Sequence, residues 1–559
     1  MKKSIQMFLL FLLPGYSIFA QEFKMLDQLG NGRIDHFTMV EGKRFYLTPI
    51  CDTLWVNGQM VVAKDSCLLS ATYLISINGD GTLNFAKNMG ECQGNLVATD
   101  SSITLFMKFN VDTLFSADTF FVKAVLPSWE NIVAFEYSID GDLIRAKQWT
   151  STTASSIGIN ELSFIGGNYF LTGSFYGVAL KLDDQYSDAI APFQGFNTQD
   201  VFTIKINGEW ECEWIDMSGG LFREFHGASA TNSQKSTIST GNFSSGAFAC
   251  DQDTVYNPYS FFWPDMWVSK IDANGQCEWL RSVNDINSVT GVGTGFLSDG
   301  SVVVGGHYRG DNADFGDTTL TAPYDNTNSF IAKYTSFGKF EFAAQFGGEA
   351  PIKITDLAIG EGDAIWVCGD FFSDTIRKDP TIGQFVLPTI AEGYDAFIVK
   401  FDKKGNALFA LSMGGKGTDF ATGIERGPGN KLYLKISTMS DTLDINGELI
   451  TSNFIGSDLY IEITDIPTQT SETSPAPIAI KIYPNPVSNN QIINYEITAP
   501  ENIDFQQIKL YSIYGQLISQ YKINDKKGQV ELPHLFPGIY LIKFENKNGM
   551  GQVQKLIVE

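Results

Sequence analysis

Short runs of apolar and aromatic residues recur along residues 22–466, each bounded by Gly, Asn, Asp or Ser, which reads as strands joined by tight turns rather than as helices. Seven of these runs align. An opening Ala, Asn or Asp precedes an aromatic or aliphatic strand in ATYLISIN at Ala71, NIVAFEYS at Asn131, DVFTIKIN at Asp200, DMWVSKID at Asp265, NSFIAKYT at Asn328, DAFIVKFD at Asp395 and DLYIEITD at Asp458. Successive anchors lie 60, 69, 65, 63, 67 and 63 residues apart. Two residues past each anchor stand Tyr73, Val133, Phe202, Trp267, Phe330, Phe397 and Tyr460, so one register carries an aromatic in all copies but one. A unit of this length repeated in series buries its apolar face only against its neighbours.

Each copy continues alike. A glycine turn closes the first strand at Gly81, Gly141, Gly275 and Gly405, and a second strand carries Phe85, Trp214, Trp279, Phe342 or Phe409. A glycine corner follows at Gly219-Gly220, Gly347-Gly348 and Gly414-Gly415; then a third strand ends in Gly-x-aromatic, as in Gly173 to Phe175, Gly241 to Phe243, Gly306 to Tyr308 and Gly369 to Phe371. Asp-Thr marks a last hairpin at Asp52-Thr53, Asp112-Thr113, Asp374-Thr375 and Asp441-Thr442. Four strands per copy, repeated radially, predict an all-β fold, a β-propeller. Residues 22–70 lack an opening strand and 458–465 are an opening strand with nothing after it, so six full copies and one composite predict seven blades over 21–466, the first closed by 458–465.

Outside the repeats the chain changes character twice. Residues 1–20 combine Lys2 and Lys3, the apolar run MFLLFLL and a break at Pro14-Gly15, the pattern of a secretory signal ending at Ala20. The apolar run is too short to span a bilayer, and no transmembrane segment is expected later. Residues 467–477 are rich in Ser, Thr and Pro and read as a linker; 478–559 return to short alternating strands, which predicts a small C-terminal Ig-like β-sandwich. Overall, 39 basic against 63 acidic residues give −24, which argues against nucleic acid or an anionic membrane as partner.

The tail carries Tyr483-Pro484-Asn485-Pro486, then the run from Leu510 through Gly515-Gln516, then Pro537-Gly538-Ile539-Tyr540 and a terminal Lys555-Leu556-Ile557-Val558. In these residues, their order and their spacing it resembles the C-terminal sorting domain of type IX secretion substrates. The repeats, DAFIVKFDKKGNALFALSMGGKGTDFATGI at 395–424 above all, resemble the seven-bladed propellers of secreted bacterial proteins. The first resemblance implies the type IX machinery as a partner, passage through a Gram-negative outer membrane, removal of the tail, and release or attachment at the surface. The second implies a fold and no activity.

Chemistry is sparse. Four histidines, His36, His226, His307 and His534, fall in no metal-binding spacing, and HExxH, GxSxG, CxxC and P-loop patterns are absent, so no catalytic residue and no cofactor is assigned. GVGTG at 291–295 reads as a corner. Asp311, Asp314 and Asp317 offer hard oxygen ligands suited to Ca²⁺, against the plainer reading of a solvated turn. Tyr256, Tyr259, Phe261, Phe262 and Trp263 stand outside the repeat and form either a stacking surface for a glycan or protein ligand or an insertion packed between blades. Seven cysteines leave at least one thiol over; Cys51 and Cys67 bracket a hairpin and could pair, Cys212 and Cys277, each in Cys-Glu-Trp, are read as equivalent repeat positions rather than partners, and most of the seven are read as buried small apolar residues. The function expected is a secreted or cell-surface binding or adhesion module for a glycan or surface protein. The competing class is a carbohydrate-active hydrolase or lyase working with carboxylates in the central channel.

Overall fold

The computed structural model describes residues 20–558 apart from 33, 63–70, 100, 110–112, 116–120, 124–130, 150–153, 178, 189–197, 259–262, 286, 310–311, 323–325, 374–379, 384, 391–392, 428–430, 446–447, 453–455, 467–478, 488–491, 499–504, 513–516, 524 and 547–550. Two compact units are present, one built on Phe23–Thr464 and one on Asp465–Glu559. Among the described residues everything regular is strand except a 3-10 turn at Glu361–Asp363.

The larger unit is a succession of four-stranded antiparallel meanders; outer hairpins widen the third and sixth to six strands, and Ala20–Gly32, paired with both Ser457–Ile466 and Lys43–Val56, joins the first and last into one nine-stranded sheet. The first runs His36–Val40, Lys43–Val56, Ala71–Ile77, Leu83–Gly90 and the second Gln93–Ala98, Ser102–Phe109, Asn131–Ser138, Leu143–Trp149. The third is Ala154–Ile165, Asn168–Gly177, Asp200–Asn207, Cys212–Gly220; the fourth is Glu224–Thr231, Thr237–Phe243, Asp265–Ile271, Cys277–Val283. Ser288–Phe296, Val302–Arg309, Thr327–Tyr334 and Phe340–Phe346 make the fifth, and Ile352–Ile359, Ile365–Ser373, Gly393–Phe401 and Ala407–Gly414 the sixth. The seventh is assembled from both ends of the chain: Asp419–Arg426, Lys431–Thr438, Ser457–Ile466 and then Ala20–Gly32.

Two details of the sequence reading change here. The anchored run is the third strand of its meander, not the opening one. The strand at 457–466 therefore completes the meander that begins at Asp419, with Ala20–Gly32 beyond it, and the meander starting at His36 has four strands of its own. GVGTG at 291–295 is not a corner but part of the first strand of the fifth meander, with a β-bulge between Gly291 and Gly293. A Cβ on Gly291 would strike Thr240 of the fourth meander, and one on Gly293 would come within 2.5 Å of Leu357 Cβ of the sixth, so glycine is required by neighbouring first strands crowding together.

The repeated motifs are devices that join one meander to the next. Fourth-strand aromatics pack onto the turn glycine of the following meander, Phe85 on Gly141, Trp214 on Gly275, Trp279 on Gly338 and Phe342 on Gly405, each glycine with φ between +74° and +95°. The indoles of Trp214 and Trp279 also donate to the turn carbonyls of Ala273 and Ser336, both at 3.1 Å. Lys205 and Lys270, on the third strands, reach those same carbonyls at 3.2 Å and pair with Glu213 and Glu278 of their own fourth strands. The anchor side chain explains the glycine corner: the Oδ1 atoms of Asp200, Asn328 and Asp395 occupy the space a Cβ would need at Gly219, Gly347 and Gly414. At the corner the outer hairpin of the next meander docks, with Gly219 and Gly220 opposite Ala249 and Phe248, and Met413 and Gly414 opposite Ile445 and Asp444.

The smaller unit has a three-stranded sheet, Ala479–Tyr483, Ile492–Thr498, Lys527–Glu531, and a four-stranded sheet ordered Leu517–Lys522, Phe505–Ser512, Gly538–Asn546, Gly551–Val558. One apolar core, with Ile493, Ile508, Leu510, Ile542, Phe544 and Leu556 fully buried, draws from both sheets.

Candidate functional site

First strands carry the signal that the repeat motifs do not. Every one of the seven meanders contributes its first strand to the wall of one cavity of about 1550 Å³, represented by Thr38, Asn95, Glu161, Ser229, Thr294, Asp356 and Glu425. A β-bulge sits in at least five of these strands, at Ile159/Glu161, His226/Ala228, Gly291/Gly293, Ile354/Asp356 and Ala421/Gly423. A bulge re-aims the side chains beyond it. Opposite four of them lies the glycine of Gly-x-aromatic, Gly173, Gly241, Gly306 or Gly369, where a Cβ would run into a first-strand carbonyl.

The position just past the bulge is small in three strands, Ala228, Gly293 and Gly423, but acidic in two, Glu161 and Asp356. Glu425 follows two residues after Gly423. Asp356 is tied down, accepting from the backbone N–H of Leu357 at 2.7 Å and from that of Ile424 in the next meander at 2.9 Å. Burial raises its pKa to about 6, with those two bonds and Lys435 acting against the rise. Glu425 accepts the Tyr460 hydroxyl. Burial and then the Asp356 charge raise it to about 8, against the hydrogen bond from Tyr460 and the Lys435 charge. Glu161 has only like charges for electrostatic company: burial first, then Asp356 and Glu425, push it up to about 8. Its side chain is open to the cavity, so the shift comes from depth inside a protein-walled space rather than from close packing. Lys435 donates to the Ile34 carbonyl.

The residues singled out in the sequence fall elsewhere. Asp311, Tyr259, Phe261, Phe262 and Gly515 lie outside the described residues. Asp314 accepts from the N–H of Gly316 at 2.8 Å, closing its own hairpin turn, and among the described residues no group of three His, Cys, Asp or Glu side chains could hold a metal. Tyr256 and Trp263 are exposed, and the Trp263 carbonyl accepts from Asn257 at 2.9 Å. His226 is buried without a partner for either ring nitrogen, and burial drives its pKa down to about 3; His307 is held equally low, by burial and then by Lys353. Cys212 and Cys277 do occupy equivalent positions, each donating its N–H to an outer-hairpin aspartate, Asp183 or Asp251. Yet Cys277 is not an unpaired buried residue: it forms a disulfide with Cys250, while Cys92, Cys212 and Cys368 are free and buried. The proposed partner of Cys51, Cys67, is outside the described residues.

In the smaller unit the motif residues bind the chain to itself. Asn485 accepts from the N–H of Ile557 at 2.8 Å, Val487 donates to the Ile557 carbonyl at 2.8 Å, and the Tyr540 hydroxyl donates to the carbonyl of Phe536 at 3.0 Å. Asn485 and Val487 thus anchor the start of the unit to its terminal strand, and Pro537-Gly538 opens the strand that carries Tyr540. Residues 481–559 match the family described as the secretion system C-terminal sorting domain. The tail is a type IX sorting domain. It marks the chain for export through that machinery. Among the described residues no helix is long and apolar enough to cross a membrane.

Likeness beyond the sorting domain is thin. The regulatory protein FlaEY of Caulobacter vibrioides is 26% identical over 177 residues, 29% of this chain and 17% of FlaEY, so the match spans under a fifth of that relative. Among solved structures, PorZ, an essential surface component of the type IX secretion system of Porphyromonas gingivalis, aligns over 96% of this chain and 100% of its own at 8% identity and a TM-score of 0.17. The extracellular domain of the B. thetaiotaomicron hybrid two-component system BT4673 aligns over 95% and 99% at 9% identity and a TM-score of 0.18. Superpositions this loose lend the chain no function.

The cavity carboxylates were missed by motif reading because they break a pattern rather than repeat one. The available signal was a column in the aligned first strands where Ala and Gly give way to Glu161 and Asp356.

Proposed function

We propose that residues 21–466 form a seven-bladed β-propeller closed by the strand at 21–32 beside Ser457–Ile466, displayed or released at the cell surface as a binding or adhesion module for a glycan or surface protein. The carrying observation is the shared cavity: seven successive first strands lining one space is the arrangement of blades around an axis. Its wall mixes hydroxyls and amides with carboxylates, groups that orient a polar ligand. The tail, read as an Ig-like sandwich, is the address, and the linker at 467–477 is where it would be removed.

A second reading has its own support. Glu161 and Glu425, raised to about 8 and sharing a deep cavity, hold the protons a general acid needs near neutral pH, as a hydrolase or lyase would use. Both readings meet one experiment. The mature protein is screened on glycan and surface-protein arrays beside Thr422→Trp, which projects a large ring into the cavity from an exposed wall position. Retention abolished by the tryptophan, with the melting temperature unchanged, supports a binding cavity. Retention unaffected by it overturns that assignment. Cleavage of a retained glycan, lost in Glu161→Gln, moves the protein to the enzyme class.

A further inference from the structure

The cavity wall is unevenly charged. Among the described residues that line it stand eight carboxylates and only three cationic side chains. Two of the three cations are already engaged: Lys270 pairs with Glu278 at 2.6 Å, and the Lys435 ammonium donates to the Ile34 carbonyl. Arg426 is exposed at the end of its strand. Two carboxylates on the turns are engaged as well. Asp363 accepts from the N–H and the hydroxyl of Ser298, both at 2.7 Å, and Asp299 has Lys333 at 3.9 Å. The acidic excess that remains is concentrated on first strands.

Three carboxylates stand there, Glu161 on the third meander, Asp356 on the sixth and Glu425 on the seventh. In a ring of seven the third meander is as far as it can be from both the sixth and the seventh, so Glu161 faces the other two across the space. The fold holds each one differently. Asp356 is fixed by the N–H groups of Leu357 and Ile424, and Glu425 by the Tyr460 hydroxyl. Glu161 makes no hydrogen bond with another described residue, and its side chain is open to the cavity. Past the bulges of the fourth and fifth meanders the wall recedes to Ala228 and Gly293, which leaves the space between the carboxylates clear.

A single metal ion does not suit this arrangement, since among the described residues no three acidic, His or Cys side chains could hold one. Carboxylates on opposite walls of a space of about 1550 Å³ are matched by positive charge that is itself spread out. We propose, on the reading of the cavity as the binding site, that its ligand is a chain bearing several positively charged amino groups, one received by Glu161 and others by Asp356 and Glu425 on the facing wall. Each ammonium brings hydrogen-bond donors to carboxylates that can only accept. Lysine side chains of a surface protein and a free polyamine share this chemistry. Binding of either also relieves the mutual repulsion that Asp356 and Glu425 exert on Glu161.

The test is a calorimetric titration of the mature protein at pH 8.5. That lies above the value of about 8 to which Glu161 and Glu425 are raised, while lysine side chains remain charged. A tetralysine peptide should bind, and the same peptide acetylated on its side-chain amines should bind about tenfold more weakly or worse. Glu161→Gln removes a carboxylate that the fold does not use, and should weaken tetralysine by about tenfold or more. Thr422→Trp should weaken it likewise without altering any charge. Asp253→Asn, an exposed carboxylate of an outer hairpin outside the cavity lining, should leave the affinity unchanged. Spermine supplies the second arm: tighter tetralysine assigns the charge to lysines of a protein, tighter spermine assigns it to a free polyamine, and both uphold the proposal. Equal binding of the acetylated peptide would overturn it, as would an equal loss in Asp253→Asn, which would reduce the effect to the negative charge of the whole chain. If neither amine binds while a neutral array ligand is retained and Thr422→Trp abolishes that retention, the cationic ligand is overturned and the binding cavity stands. If no retention of any ligand responds to Thr422→Trp, both fall.

Discussion

Glycines mark where backbone meets backbone. At Gly241 an added Cβ would fall onto the carbonyl oxygen of Phe225, because the bulge after His226 pushes the first strand toward its partner. Gly241→Ala must shift a strand, so it is expected to cost about 1–3 kcal/mol in denaturant unfolding. Gly58→Ala, at φ +81° with open space around it, should cost only the left-handed backbone penalty of about 1–2 kcal/mol. Equal costs would remove the bulge as the reason for Gly-x-aromatic. The motif itself was legible in the sequence; its cause was not, since a bulge is a property of two paired strands and leaves no composition of its own. The same limit hid the Cys250–Cys277 bridge, whose partner lies 27 residues upstream in an outer hairpin. Shared Cys-Glu-Trp triplets spoke for Cys277 as a repeat position, which it is, and said nothing about what the hairpin brings to it.

Elements differ in how plainly the chain announces them. Third strands are buried along their length, as in Asp265–Ile271, and so repeat visibly. First strands have one side open to the cavity and are free to vary, which is why their carboxylates escaped notice. Phase was the second casualty: with third strands as the visible beat, the composite meander was assigned to the start of the chain, whereas pairing places it at the end, with Ala20–Gly32 beyond Ser457–Ile466. That N-terminal strand is locked by Asp27, fully buried, which accepts from Arg44, from Tyr46 at 2.6 Å and from Asn57 at 2.8 Å. Removing the carboxylate strands a buried guanidinium. Asp27→Ala should therefore lower unfolding free energy by about 3–5 kcal/mol, measured by urea denaturation. A loss below about 1 kcal/mol, the range of a surface pair, would mean the N-terminal strand is not held there.

On the scale of the whole chain, two units divide the work. The larger carries the cavity and the devices that join one meander to the next; the smaller carries the sorting match at 481–559 and spends its motif residues on its own fold, as Asn485 does on Ile557. The difference was readable from sequence because the units differ in composition: 478–559 hold eight Lys against seven acidic residues, while the rest of the chain carries the whole negative excess. Under the proposed function, the larger unit is a propeller that closes without the tail and reaches the surface because of it. Surface protease accessibility in the native host, comparing the full chain with one ending at residue 466, tests this most directly. The full chain should be reached by external protease or found in the medium, and the shortened chain should be folded, protected and confined to the periplasm. A shortened chain that still appears at the surface would contradict the account.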